Sequence, residues 1–583
     1  MPRFSLFRSA LCGVAAYVLL LAGLNSIGLV GPDEPRYADV ARGMYTSGDY
    51  ITPRLFGEPW FEKPPLYYWL AAASFHLGIS EFSARFPSAL CALMFLGLWY
   101  WFVQRNYGER AAQWSCLILA TSLGWIGFAR AAAMDMLFST TLSAALAFFL
   151  TWWFGEPATK SSWSANHPDA DEPRRPAWAL YAFYVALALA TLAKGPLAVA
   201  LAGLVVVACL VHRRDWKSIP RMLLTPAVAV YATIALPWYV LCYARNGWPF
   251  IEEFFIRHNL QRFTSGEVIG HPQPTWFYIP VLPAAIFPWS PLLLIALAAF
   301  AAGGWRKAFA SPKTSALLYW VALPFIFFSI SANKLPGYLL PLLPPLSLLL
   351  ALTIAENGEG GESRPLLGLT SVWKKIAISG AAAALLIVPL FSWILPESLT
   401  TGLSRALQQM NSAGLLRSIS SSGVPLLIWG IAIALILAAT FLSVRGLLLE
   451  AAGTIGLGVC VCLGGLLIYM SPTINGIASV RNVAERAGAL GMDPASMGTL
   501  YVHRAQVYGL GFYLGIALPE WNPDDPAQQF PYVAARDDFQ VDQLRPGARL
   551  LASFPRQSLR LWALPQPQIR ETPVPASLHP PAN

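Results

Sequence analysis

The stretch from Gly31 to Lys63, GPDEPRYADVARGMYTSGDYITPRLFGEPWFEK, leaves the first long apolar run carrying Asp33, Glu34, Arg36, Asp39, Arg42, Asp49, Arg54, Glu58, Glu62 and Lys63. Of the 583 residues, 56% are hydrophobic and only 12% charged, so this is the densest cluster of ionisable and aromatic groups between apolar runs. A hydrocarbon core of roughly 30 Å needs about 20 apolar residues per helix, and such runs recur almost from end to end. They are continuous and not alternating, which excludes a membrane β-barrel. The chain therefore reads as a polytopic α-helical membrane protein, and the charged stretch as a loop at a membrane surface around which the other spans build a cavity.

Working outward, Arg3 and Arg8 precede the first apolar run, which predicts a cytoplasmic N-terminus and delivers the loop 31–83 to the outer face. Because many spans follow, residues 1–30 read as an uncleaved first helix and not as a cleaved signal peptide. The hydropathy predicts about 13 spans, over residues 9–30, 84–103, 111–128, 136–154, 177–193, 197–211, 222–243, 276–301, 315–331, 339–355, 376–395, 424–444 and 447–470. The apolar piece Leu66 to Ile79 is too short to cross and is expected to lie along the outer interface. That choice fixes the sidedness of every later loop. It puts the cluster Arg213, Arg214 and Lys217 inside, as a basic loop prefers, and the loop 244–275 outside.

Residues 1–470 thus form the membrane domain. Residues 471–564 read as a small mixed α/β domain on the outer side, with strands at Leu500–His503, Tyr532–Ala535, Ala548–Phe554 and Ser558–Leu564 and a helix near Val480–Leu490. A proline-rich tail, 565–583, is expected to be disordered. The net charge of +9 is scattered over loops and suits an anionic lipid surface better than nucleic acid. The seven cysteines, Cys12, Cys91, Cys116, Cys209, Cys242, Cys460 and Cys462, lie in or at the ends of apolar runs and read as small buried residues.

Candidate chemistry sits at the outer ends of spans. Asp33 and Glu34 follow Gly31-Pro32 and read either as helix capping at the interface or as carboxylates that orient or deprotonate an acceptor. Asp135, at the end of another span, is too costly to face lipid and should point into protein or a wet cavity, unless it is a plain interfacial acid. Lys63, Lys194, Arg262 and Lys334 occupy separate outer turns. Each alone reads as a snorkelling cation, and together they suit phosphate recognition. His258 and His271 share one outer loop and His503 lies in the terminal domain. Two such histidines plus a carboxylate could hold a divalent metal, with His258 as the candidate ligand, but the spacing matches no metal motif. Tyr37, Trp60, Tyr67, Tyr68 and Tyr338 read as interfacial aromatics, some of them lining a groove for a lipid chain or sugar.

Asp33-Glu34 after the first span, Lys63-Pro64-Pro65-Leu66, the segment Arg130 to Asp135, Lys194-Gly195-Pro196, Gln261-Arg262-Phe263 and Lys334-Leu335-Pro336-Gly337-Tyr338 together resemble the GT-C glycosyltransferases of the protein mannosyltransferase superfamily. Within it the chain is similar to the bacterial aminoarabinose transferases acting on lipid A, over the membrane part to about Tyr338 and again at Tyr501 to Leu518. The resemblance implies an inner-membrane enzyme, monomeric, that takes a sugar from undecaprenyl phosphate on the periplasmic face. Asp33 and Asp135, with Glu34, would be its acidic residues. Lys63, Arg36, Tyr37, Lys194, Arg262, Lys334 and Tyr338 would hold the donor's phosphate or lipid. Two other readings stand beside it: transfer of another polyprenyl-linked sugar to a protein or a different glycolipid, and a lipid-linked sugar flippase. The flippase is disfavoured because transporters place such groups near the bilayer midplane.

Overall fold

The structure, a computed structural model, describes residues 13–155, 175–261, 272–355, 369–385, 426–525 and 528–565. Among them, eight helices are long and apolar enough to cross a membrane, and a bent pair makes a ninth. The helices Leu197–Arg213 and Gly430–Val444 are apolar but shorter. Expected and observed spans coincide to within a few residues along most of the chain, as at Glu81–Tyr107, Met134–Phe154, Ala177–Lys194 and Leu448–Tyr469. Part of the expected first span, part of the eleventh, Arg262, His271 and the proline-rich tail lie outside the described residues.

Two expected spans are broken. The third consists of Glu109–Thr121 and Leu123–Ala129, bent by 62°. The Leu123 amide donates to Phe287 O at 2.9 Å and not to its own helix, and the Trp289 indole donates to Thr121 Oγ1 at 2.9 Å, so a neighbouring segment takes up the groups freed at the break. The eighth falls into Tyr278–Ala285 and a longer run beginning at Ser290.

The charged stretch folds into helix α1 (Asp33–Ser47), which places Asp33 and Glu34 in its first turn, where the helix dipole favours acids. It ends at Gly48, whose φ of +70° allows the left-handed cap that closes onto Met44 O. Tyr37, Ala38, Val40, Ala41 and Met44 are buried. They pack against α2 (Leu66–Ser74), a nine-residue helix too short to span a bilayer. Contrary to the interfacial expectation, Tyr67 and Tyr68 on α2 are fully buried, and Tyr67 donates to Ala84 O at 2.8 Å. The Tyr67 hydroxyl serves the packing of the loop, and neither ring lies in a membrane belt.

The C-terminal part carries a four-stranded sheet of β1 (Met497–Leu500), β2 (Tyr532–Arg536), β3 (Arg549–Phe554) and β4 (Leu559–Ala563) in the order β1-β2-β4-β3. β1 and β2 run parallel and the other pairs antiparallel. The helix α3 (Arg504–Leu514) follows β1 and lies against α1. The first strand ends at Leu500, where the sequence pattern places its start. Arg42 donates to Phe512 O at 2.7 Å and pairs with the buried Asp39. Tyr513 accepts from the Leu29 amide at 2.7 Å and donates to Glu81 at 3.0 Å. Asn475 accepts from the Gly28 amide at 2.7 Å and donates to Ser26 O at 2.9 Å. These bonds satisfy the backbone where the first apolar run gives way to α1 and fix the sheet domain over the loop.

The six described cysteines are free, and none is exposed.

Candidate active site

A cavity of about 1170 Å³ opens between the ends of the helices and the sheet domain. Asp33, Arg36, Tyr37, Lys63, Asp135, Lys194, His258 and Tyr338 line it, so most of the candidates read from separate loops meet at one place. Phe327, Phe328, Leu197, Met134, Ile474 and Ile477 give it an apolar side.

Arg36 is the hub of the charged side. Its Nη2 lies 2.7 Å from Asp33 Oδ1 and its Nη1 3.0 Å from Glu62 Oε2, while its guanidinium stacks over Tyr37 and Trp60 at 4.8 and 5.5 Å from the ring centroids. Glu62 also holds Lys63, 3.1 Å from Nζ. Asp33 is half exposed toward the cavity, whereas Arg36 and Glu62 are largely covered. Although Asp33 opens into the cavity, desolvation by the surrounding walls pushes its carboxyl above the ordinary range, opposed by Arg36 and aided by Glu62 and Asp135, with Lys63 also opposing the rise. The buried donors Arg36 Nε and Trp60 Nε1, on residues that line the cavity, have no hydrogen-bond partner among the described residues.

On the facing helices Lys194 Nζ pairs with Asp135 Oδ1 at 2.6 Å and lies 4.8 Å over the Tyr338 ring. Gly337 makes this possible: a Cβ there would come within 3.0 Å of Asp135 Oδ1 and 2.8 Å of Phe128. Gly195, at φ +78°, turns the chain after Lys194, and a Cβ there would meet Phe254 at 3.0 Å.

Other expected residues fall elsewhere. Glu34, next to Asp33, does not line the cavity. Its carboxylate is buried against Arg85, with contacts of 2.6 and 2.9 Å, and also accepts from the amides of Val30 and Ala132, each at 2.8 Å. Its acceptor capacity is used in joining α1 to two other segments. Lys334 is 2% exposed and turned away, donating to Gln273 O at 2.9 Å, although its neighbours Asn333 and Leu335 line the cavity.

His258 lies in the π-helical stretch Glu252–Gln261, 2.9 Å from Glu253. Burial holds it below its usual range, against the pull of Glu62 and Glu253, which favours the neutral ring. Among the described residues, no group of three or more His, Cys, Asp or Glu side chains is placed to hold a metal ion. Sequence reasoning missed Glu62 and Arg85. The one signal for Glu62 was its position beside Lys63.

A membrane bundle that gathers ion pairs and aromatics at one end, under a small α/β domain, has the architecture of the GT-C glycosyltransferases. Residues 7–247 match the family described as dolichyl-phosphate-mannose-protein mannosyltransferase. It is similar to the undecaprenyl phosphate-alpha-4-amino-4-deoxy-L-arabinose arabinosyl transferase of Edwardsiella ictaluri, 32% identical over 66% of this chain and 65% of that protein. The protein of the same name from Pseudomonas aeruginosa is 31% identical over 61% of each chain. These matches thus span less than two thirds of those relatives' length. In fold it is similar to the crystal structure of ArnT from Cupriavidus metallidurans bound to undecaprenyl phosphate, with a TM-score of 0.73 and 24% identity over 95% of this chain and 97% of that one.

Proposed function

We propose that the protein is an inner-membrane glycosyltransferase that moves aminoarabinose from undecaprenyl phosphate to lipid A at the periplasmic face. The observation that carries this reading is the meeting of Asp33, Lys63, Asp135, Lys194 and Tyr338 in one cavity that also has an apolar side. A polyprenyl chain fits the apolar residues, and its phosphate fits the cations. The similarity to proteins named for this sugar and donor supports the choice.

The bond from sugar C1 to the donor phosphate oxygen breaks while an acceptor oxygen forms the new bond to C1. Polyprenyl phosphate is a good leaving group, so the main demand is to stabilise its developing charge, the role of Lys63 and Lys194 with Tyr338 beside them. Each of these lysines rests on an acid until the donor arrives. The lipid A phosphate is largely ionised at neutral pH, its second pKa being about 6. It needs no base, and Asp33 then orients the acceptor or the sugar's amine. A hydroxyl acceptor would require Asp33 as a true base.

The test is mass spectrometry of lipid A from cells with and without the gene. The expected outcome is an added aminoarabinose mass only with the gene, and its absence would defeat the acceptor assignment. Turnover by purified protein in detergent, where there are no two sides, would exclude a flippase.

A further inference from the structure

The cavity has a wall that the transfer chemistry above does not use. On the membrane side it is lined by three acids, Asp33, Glu62 and Asp135, and by three cations, Arg36, Lys63 and Lys194. Each of those cations lies within ion-pair distance of one of those acids. That side carries no excess charge. The sheet domain faces it with Arg504, Arg536 and Arg556 and contributes no acid to the described lining. Arg536 is occupied by Asp538 in a two-point contact of 2.6 and 2.7 Å. Arg504 and Arg556 are exposed and have no hydrogen-bond or ion-pair partner among the described residues.

Their placement is built by the fold. Arg504 opens helix α3, which His503 caps by accepting from the Ala505 amide at 3.3 Å. Arg556 lies in the turn between β3 and β4, beside Gln557. The buried Gln557 ties the turn to α3, accepting from Gln506 through its carbonyl, and donates to Asn482 at 2.9 Å. Two guanidinium groups line one wall that contributes no acid to the described lining, a charge balance that suits an anion. Their planar forks match phosphate oxygens in pairs. The donor phosphate is served by the cations of the opposite side, so an anion at this wall belongs to the other substrate.

We propose that Arg504 and Arg556 bind a second phosphate on the acceptor head group, distinct from the one that receives the sugar. This rests on the acceptor being a phosphorylated glycolipid. The wall then selects acceptors carrying two phosphates and holds the reacting one over Asp33.

The experiment measures binding of bisphosphorylated and monophosphorylated lipid A to the purified full-length protein in detergent, for wild type and for the double variant R504Q/R556Q. The wild type should prefer the bisphosphorylated form by roughly tenfold or more, and the double variant should lose that preference while binding undecaprenyl phosphate as before. Equal wild-type affinity for the two forms would overturn the proposal. So would an unchanged preference in the variant, or a fall in undecaprenyl phosphate affinity instead, which would give these arginines to the donor. Inorganic phosphate and phosphatidylglycerol serve as competitors. Displacement of the glycolipid by either at equal concentration would mark a general anion surface and also overturn it. Binding is read without turnover, so a protein that shows the preference yet transfers no sugar contradicts only the proposed activity.

Discussion

Asp33 and Glu34 are consecutive residues of one helix turn, yet they belong to two regions of opposite character. Asp33 opens into the cavity, half exposed, with one ion-pair partner. Glu34 lies in the seam behind it, where Arg85 and two backbone amides take up both of its oxygens. Arg85 in turn donates to the carbonyls of Leu24, Ile27 and Gly28. The cavity side keeps charge available, while the seam spends its charge on holding the first apolar run, α1 and the segment before Asp135 together. A charged group serves chemistry where its hydrogen-bonding capacity is left partly unspent, and architecture where it is saturated.

The largest effect expected from breaking this contrast is on turnover. Asp33→Asn, which loses the group that orients the acceptor, should lower sugar transfer by roughly 10²-fold or more while the protein accumulates normally in the membrane. Wild-type turnover by that variant would make both acids structural. In the seam, Arg85→Ala strands the Glu34 carboxylate in a dry site, which costs about 3–5 kcal/mol. Early unfolding in detergent should report it, and an unchanged melting profile would show that the seam carries no such strain. Lys63→Ala removes a charge-assisted contact to the donor, worth about 1.5–3 kcal/mol, or roughly ten- to a hundredfold in donor use. An unaltered apparent KM and kcat would count against its phosphate role.

The smallest effect concerns pH. The folded protein holds the Asp33 carboxyl above its ordinary value of 3.8, so ionising it costs stability in the folded state. That cost is absent below 3.8, grows as pH rises toward the raised folded value and is constant above it. Asp33→Asn cannot ionise, so its melting temperature relative to wild type should rise through that window and fall back toward zero difference in acid. A difference that does not change with pH would place Asp33 in ordinary solvent.

The spans were legible because a continuous apolar run of bilayer length has few alternatives to a helix. The breaks at Ser122 and after Ala285 were not, because they depend on bonds such as Leu123 N to Phe287 O between distant segments. Among the candidate residues, Asp33, Lys63, Asp135 and Lys194 stood out because charge at the end of an apolar run is rare and expensive. The burial of Tyr67 and Tyr68, the turning away of Lys334 and the pairing of Glu34 were not visible. Each depends on which face of a short element meets the core.

By itself the sequence determined that this chain threads a bilayer repeatedly and carries its ionisable groups at the ends of those passages. Hydrophobic length and charge cost are local properties that a linear reading captures. Only the tertiary structure decided which of those groups share a cavity and which are consumed behind it. A step of one residue rotates a helical side chain by about 100°, enough to move one acid into the cavity and its neighbour into a salt bridge. Arg504 and Arg556, without a partner among the described residues, likewise reach that cavity only through the packing of α3 and the β3–β4 turn.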